Sequence, residues 1–266
     1  MTTCNLQPAN SNLQRIRLLG IVFLIVACLA SPAAAQTAKF DIKLPKSTTL
    51  GESVIMLARL SNTTGYRLMV DFGVEDQTEF VFNQTLPDGT SVRVQPSLVP
   101  PNRMRTSHLM LRATTQTVAV VLDQWMKFPQ PGRYQIDVEY RGSVAIDGGN
   151  EAKLTRTARF LMDVKPRDPK RLEKRANDWM KQVSTLSPSR ESRTATVALT
   201  VMTDPVVIPF LELAAIRTRS ARFIDALAAM KTAEAASALN RLAQTQDPDV
   251  RGMALKALTN IARKSS

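Results

Sequence analysis

Two hydrophobic periods divide the chain. From Phe40 to about Val164 apolar residues recur at every second position in short runs: Val54, Met56, Ala58 and Leu60 face one way, and Ile55, Leu57 and Arg59 the other. A period of two puts one set of side chains on each face of a pleated strand. Asn62-Thr63-Thr64-Gly65 and Pro87-Asp88-Gly89 supply turns between runs, because these residue types tolerate or pre-set the backbone angles that tight turns need. Further runs lie at Tyr66–Phe72, Glu79–Gln84, Thr117–Leu122, Tyr134–Tyr140 and Ala158–Val164. They bring the expectation to about seven to nine strands, the pattern of a β-sandwich.

After the charged, proline-bearing stretch Lys165-Pro166-Arg167-Asp168-Pro169 the period becomes that of a helix. Leu172, Ala176, Trp179, Val183 and Leu186 share one face of a helix predicted over Lys170–Leu186. This helix is expected to dock the two regions, with Trp179 as a packing anchor. Ser187-Pro188-Ser189 breaks it, and Thr194–Met202 predicts another short helix. The clearest helix is the last. Asp247 is a good N-cap, Pro248 suits the first helical position, and Asp249 complements the positive end of the helix dipole. Val250, Ala254, Ala257, Leu258 and Ile261 then form one apolar face.

Moving back 31 residues places Ala226-Leu227 under Ala257-Leu258, Ile208 under Leu239, Leu211 under Leu242, and Met230 under Ile261. Together with the helix start Asp247-Pro248-Asp249-Val250-Arg251, this register resembles HEAT repeats, two-helix units that stack on one another. Asp204-Pro205 opens the earlier unit, although on a different helix of that unit, and Pro209 must kink or delay the helix it enters. The resemblance implies a short helical array with a binding surface rather than a catalytic centre. In the β-rich region, Pro131-Gly132-Arg133-Tyr134 leads into the alternating run Tyr134, Ile136, Val138, Tyr140. That resembles the start of a late strand in bacterial immunoglobulin-like domains, which implies a tight corner and a tyrosine packed across the end of the sandwich. The expected fold is multidomain β + α: a signal peptide over 1–35, an immunoglobulin-like β-sandwich over 36–164, a linker helix over 165–190 and a HEAT-like helical repeat domain over 191–266.

The N-terminus bears on location. Arg15 and Arg17 precede an apolar run from Leu18 to Ala30, and Ala33-Ala34-Ala35 supplies the small residues of a signal-peptidase site. At 13 residues the run is short for a membrane span. A permanent N-terminal anchor is the alternative reading of the same run. Ile25-Val26-Ala27-Cys28 resembles a bacterial lipobox, with Ile25 in place of the usual leucine, and implies a second alternative, a lipoprotein anchored at Cys28. Cleavage after Ala35 leaves 231 of the 266 residues, starts the mature chain at Gln36 and removes Cys4 and Cys28, the only cysteines. The expectation is a periplasmic or secreted protein with no transmembrane span in the mature chain, no disulfide, and no thiol for catalysis or zinc.

Charge narrows the partners. Residues 36–164 carry 15 Lys and Arg against 13 Asp and Glu, a net of +2, whereas residues 165–266 carry 18 against 10, a net of +8. An excess of that size attracts anions. Export argues against nucleic acid, which leaves acidic proteins, anionic lipid headgroups and acidic envelope polymers. Arg217, Arg219 and Arg222 form the densest basic cluster between two helices and are the candidate partner-binding residues, since guanidinium groups suit bidentate contacts to carboxylate or phosphate.

Candidate chemistry is sparse by comparison. His108 is the only histidine, and no Gly-x-Ser-x-Gly pattern accompanies it. Asp71, Glu75, Asp76 and Glu79 cluster, and Asp147-Gly148-Gly149-Asn150-Glu151 lacks the spacing of an EF-hand loop and reads as a hairpin turn. No enzymatic activity, metal or cofactor is expected. The expected role is that of an exported, non-catalytic protein-interaction or scaffold protein of the cell envelope that binds an anionic or acidic protein partner, with an anionic envelope surface as a further candidate. The alternative is an inhibitor or regulatory subunit of an envelope enzyme, acting through loops of the sandwich.

Overall fold

The computed structural model describes residues 38–72, 79–94, 107–146, 149, 151–183 and 189–265. Within these residues ten strands precede six helices. The expected signal segment, the Ala33–Ala35 site and both cysteines lie outside them, as do Glu75, Asp76, Asp147, Gly148 and Asn150.

One sheet has three antiparallel strands in the order β1 (Ala38–Lys43), β3 (Ile55–Asn62), β8 (Thr115–Val121). The other is built on β9 (Gly132–Ile146), which forms a long hairpin with β10 (Glu151–Lys165). The opposite edge of β9 is shared. β5 (Phe80–Thr85) pairs with Gln135–Tyr140, and β4 (Leu68–Asp71) pairs with Ser143–Ile146. β7 (Ser107–Met110) continues from β4, β6 (Ser91–Val94) from β5, and β2 (Ser47–Thr49) runs parallel along β10. Gly142 occupies the handover between β5 and β4. There the Tyr140 hydroxyl donates to the Asp71 carbonyl at 2.8 Å, and a Cβ on Gly142 would overlap that hydroxyl.

The period of two sets the core. Met56, Ala58 and Leu60 are fully buried while Leu57 and Arg59 of the same strand are exposed. The buried set meets Phe80, Phe82, Ile136, Val138 and Tyr140 of the other sheet in one cluster, each large side chain contributing about 1.5–3 kcal/mol by leaving water. At the start of β9, Gly132 takes φ +146°, which lets the backbone pass close to the Pro87 ring. The Tyr134 hydroxyl donates back to the Gln130 carbonyl at 2.8 Å, and its ring meets Phe128 edge-on.

The helices are α1 (Pro169–Gln182), α2 (Arg190–Thr200), α3 (Ile208–Thr218), α4 (Ala221–Met230), α5 (Ala233–Ala243) and α6 (Pro248–Ser265). Asp168 caps α1 and Ser189 caps α2, accepting from the backbone N–H of Arg171 and Ser192. α1 stops at Gln182, short of the predicted Leu186, which lies outside the described residues, and α2 begins ahead of the predicted Thr194. Pro209 delays its helix rather than kinking it: a 3-10 turn over Pro205–Val207, capped by Asp204, absorbs the start, and Pro209 sits in the first turn of α3.

The reading of HEAT repeats is corrected at this level. The 31-residue register fails on the second helix of each pair, since it lays Ile224, 1% exposed, under Leu255, 51% exposed. Leu227 is buried where Leu258 is half-buried, and Ala226 is half-buried where Ala257 is buried. Alanine and leucine recur on any amphipathic helix, so their repetition did not fix a common buried face. Residues of all six helices enter a single core, joined by Val121 at the end of β8.

Candidate functional site

The two regions meet at a cluster of paired charges. Glu52, in the turn after β2, is nearly buried and accepts from the Thr48 hydroxyl at 3.0 Å, the Thr49 N–H at 3.2 Å and Arg171 Nε at 2.8 Å. Arg175 Nε stands 3.5 Å from the other oxygen. One helical turn places Arg171, Arg175 and Trp179 on the same side of α1. The Trp179 indole N–H donates to Ser53 Oγ at 3.2 Å, and the Arg175 guanidinium lies 4.7 Å from the ring centroid.

A second pair closes the junction. Arg167 grips both oxygens of Asp204, with Nη2 to Oδ1 at 2.9 Å, and Asp204 also accepts from the Val206 N–H. Those guanidinium hydrogen bonds hold the Asp204 carboxyl below the ordinary aspartate range. Asp123 behaves oppositely. Burial pushes its carboxyl up to about 7, against the pull of the Val54 N–H that it accepts at 2.6 Å. A cavity of about 580 Å³ opens here, lined by Thr48, Gly51, Asp123, Lys127, Arg167 and Asp204 among others. Arg167 occupies both oxygens of Asp204, and three donors converge on one oxygen of Glu52, so the arrangement ties sheet to helix.

Sequence reasoning placed Trp179 here as a packing anchor but singled out none of the charged residues for the junction. Glu52 and Arg171 are 119 positions apart, and Arg167 and Asp204 are 37 apart, so no local spacing links them. The one signal was the density of charge in Lys165–Asp168.

The predicted basic cluster divides. Arg219 is the left-handed C-cap of α3, φ 51°, and its Nε donates to Asp247 Oδ2 at 2.7 Å. Asp247 meanwhile caps α6 through the N–H groups of Asp249 and Val250. Arg219 therefore fastens the α3–α4 turn to the start of α6. Arg217 and Arg222 are exposed and make no ion pair among the described residues. Nearby, Arg241 holds Glu212 through two bonds at 2.9 and 2.7 Å.

His108 lies on β7, 5.9 Å from the Phe72 ring, with Arg190 Nη2 at 3.4 and 3.5 Å from its two nitrogens. Asp71 ends β4 and Glu79 precedes β5, and no group of three metal-ligating side chains occurs among the described residues. No described helix is long and apolar enough to cross a membrane.

No family model matches the chain, and no curated protein matches it. Solved structures overlap about half of it. The ApaA protein from Bordetella pertussis has 15% identity over 50% of this chain and 94% of its own, with a TM-score of 0.30. The CARDB domain of the PF1109 protein from Pyrococcus furiosus, in complex with di-metal ions, has 12% identity over 49% and 94%, with a TM-score of 0.26. A beta-glucosidase from Listeria innocua has 15% identity over 48% of this chain and only 16% of the enzyme, with a TM-score of 0.27. Likenesses this slight carry no argument about activity. The HEAT-repeat resemblance is withdrawn, and what stands is a β-rich region followed by six helices.

Proposed function

We propose that this chain is an exported, non-catalytic adaptor of the cell envelope, in which an immunoglobulin-like sandwich (36–164) and a linker helix (165–190) carry a helical domain (191–266) that docks an anionic partner. The observation that carries this reading is the unspent positive charge at the α3–α4 turn. Arg217 and Arg222 reach solvent with no ion pair among the described residues, while Arg219 and Arg241 are consumed by Asp247 and Glu212. Exposed guanidinium groups without an ion pair among the described residues, in a region of net charge +8, favour a carboxylate or phosphate partner. The back-bond from Tyr134 to Gln130 supports the immunoglobulin-like corner.

The test begins with a pull-down from envelope extract using the mature chain from Gln36. Its affinity for the captured partner is then measured at low and raised salt. Arg217→Gln with Arg222→Gln is expected to weaken binding by about 1–3 kcal/mol at low salt and to flatten the salt dependence. Arg219 is left intact because its loss would loosen the fold. Unchanged affinity with no salt dependence would remove the basic-turn reading. Mass spectrometry of the exported product tests the location: Gln36 is the expected first residue, and a diacylated Cys28 would make the protein a tethered lipoprotein.

A further inference from the structure

α3 has an uncovered apolar side. Ile208, Leu211, Ala214 and Ala215 enter the helical core, while Pro209, Leu213 and Ile216, at positions i, i+4 and i+7, face outward. The solvent side of a surface helix is ordinarily polar, yet Leu213 is 38% and Ile216 44% exposed. The stripe ends at Arg217, and Arg222 follows one turn of chain later. Two of the acids around it are already paired. Glu212 is neutralised by Arg241 and Asp247 by Arg219, and Asp225 lines the separate cleft between α4, α5 and α6.

We infer that this stripe docks an acidic amphipathic helix from a partner protein, which lays apolar side chains on Leu213 and Ile216 and sets carboxylates opposite Arg217 and Arg222. The inference rests on the anionic-partner reading above and narrows it from an anion to a peptide. Charge complementarity selects the acidic partner, and the i, i+4, i+7 spacing matches the way one helix presents side chains to another. Inorganic phosphate or a lone headgroup would be satisfied by the guanidinium groups and would leave the stripe unused. A bilayer surface requires a broad apolar face, and two half-exposed side chains bordered by the Glu212–Arg241 pair do not form one.

The probe is a short labelled synthetic peptide with leucine at i, i+3, i+4 and i+7 and glutamate elsewhere, titrated against the full mature chain by fluorescence anisotropy. Phosphatidylglycerol vesicles and inorganic phosphate serve as competitors. Leu213→Ser with Ile216→Ser should weaken peptide binding about tenfold or more, with the circular dichroism spectrum unchanged because both side chains lie outside the core. Arg217→Gln with Arg222→Gln should weaken it similarly and remove its salt dependence, and neither competitor should displace the peptide. Absence of peptide binding, displacement by vesicles or phosphate, or full affinity in the serine variant overturns the inference. Loss in the arginine variant alone defeats the apolar docking and leaves the adaptor reading intact; loss in neither variant defeats both.

Discussion

Asp123 shows how much one carboxyl can weigh. It lies in the 3-10 turn Leu122–Gln124 that leads β8 out of its sheet, and burial pushes its pKa up to about 7. A raised value means that the folded state holds this proton more tightly than the unfolded chain does. The stability it contributes is therefore complete below about pH 4 and is lost as pH rises through about 7. The melting temperature should be higher at pH 5 than at pH 8, and Asp123→Asn should stabilise the protein at pH 8 by about 1–4 kcal/mol while flattening that slope. A wild-type melting profile that is level across this interval would contradict the assignment. Asp204 has the opposite sign, because Arg167 lowers its pKa: its contribution is present at neutral pH and disappears only as pH falls below the ordinary aspartate range. The two windows do not overlap, so a single pH series separates them. At Gly142, where the Tyr140 hydroxyl fills the space of a side chain, alanine is expected to cost about 1–3 kcal/mol in urea unfolding.

At the level of elements, the last helix is held by more than its own turn. Val250, Ala254 and Ala257 belong to the core shared by all six helices, and Asp247 serves both its own cap and Arg219. Asp247→Ala should cost about 1–2 kcal/mol, readable as a shift in the denaturation midpoint. Deleting Asp247–Ser266 should remove more helical signal than the 18 residues of α6 account for, while the sheet signal persists. If far-UV circular dichroism lost only the deleted helix, the shared core would be the wrong description. The cap of α6 and the buried face of β3 were readable in the sequence because capping and alternation are local. β2, with three residues, and β6, exposed along most of its length, carry too little pattern to be read. Arg219 was grouped with Arg217 and Arg222 by proximity in sequence, and only the folded chain brings Asp247, 28 positions away, to claim it.

Across the whole molecule, the sheets and helices are coupled through a few long-range contacts. Glu52 is 6% exposed at its side chain, whereas Arg171 and Arg175 are 39% and 41% exposed. Glu52→Gln thus strands two cations that can still reach water, and the expected loss is about 1–3 kcal/mol, at the low side for a broken buried pair. In a Trp125→Phe background, Trp179 fluorescence reports the junction and the far-UV signal reports the sheets. The two transitions should coincide with Glu52 present and separate in Glu52→Gln. Coincident transitions at an unchanged midpoint would mean that packing alone joins the regions.

Arg190, at the start of α2, donates to the Thr117 carbonyl on the outer edge of β8, 73 positions earlier in the chain. A ribosome delivers β8 first. Until the segment around Arg190 has been made and has folded back, that edge offers unsatisfied carbonyl and amide groups to any strand nearby. Folding of the sheets is therefore safest when it waits for the helices, and a chain truncated just after β10 should be recovered mainly as aggregate, whatever the intrinsic quality of its core.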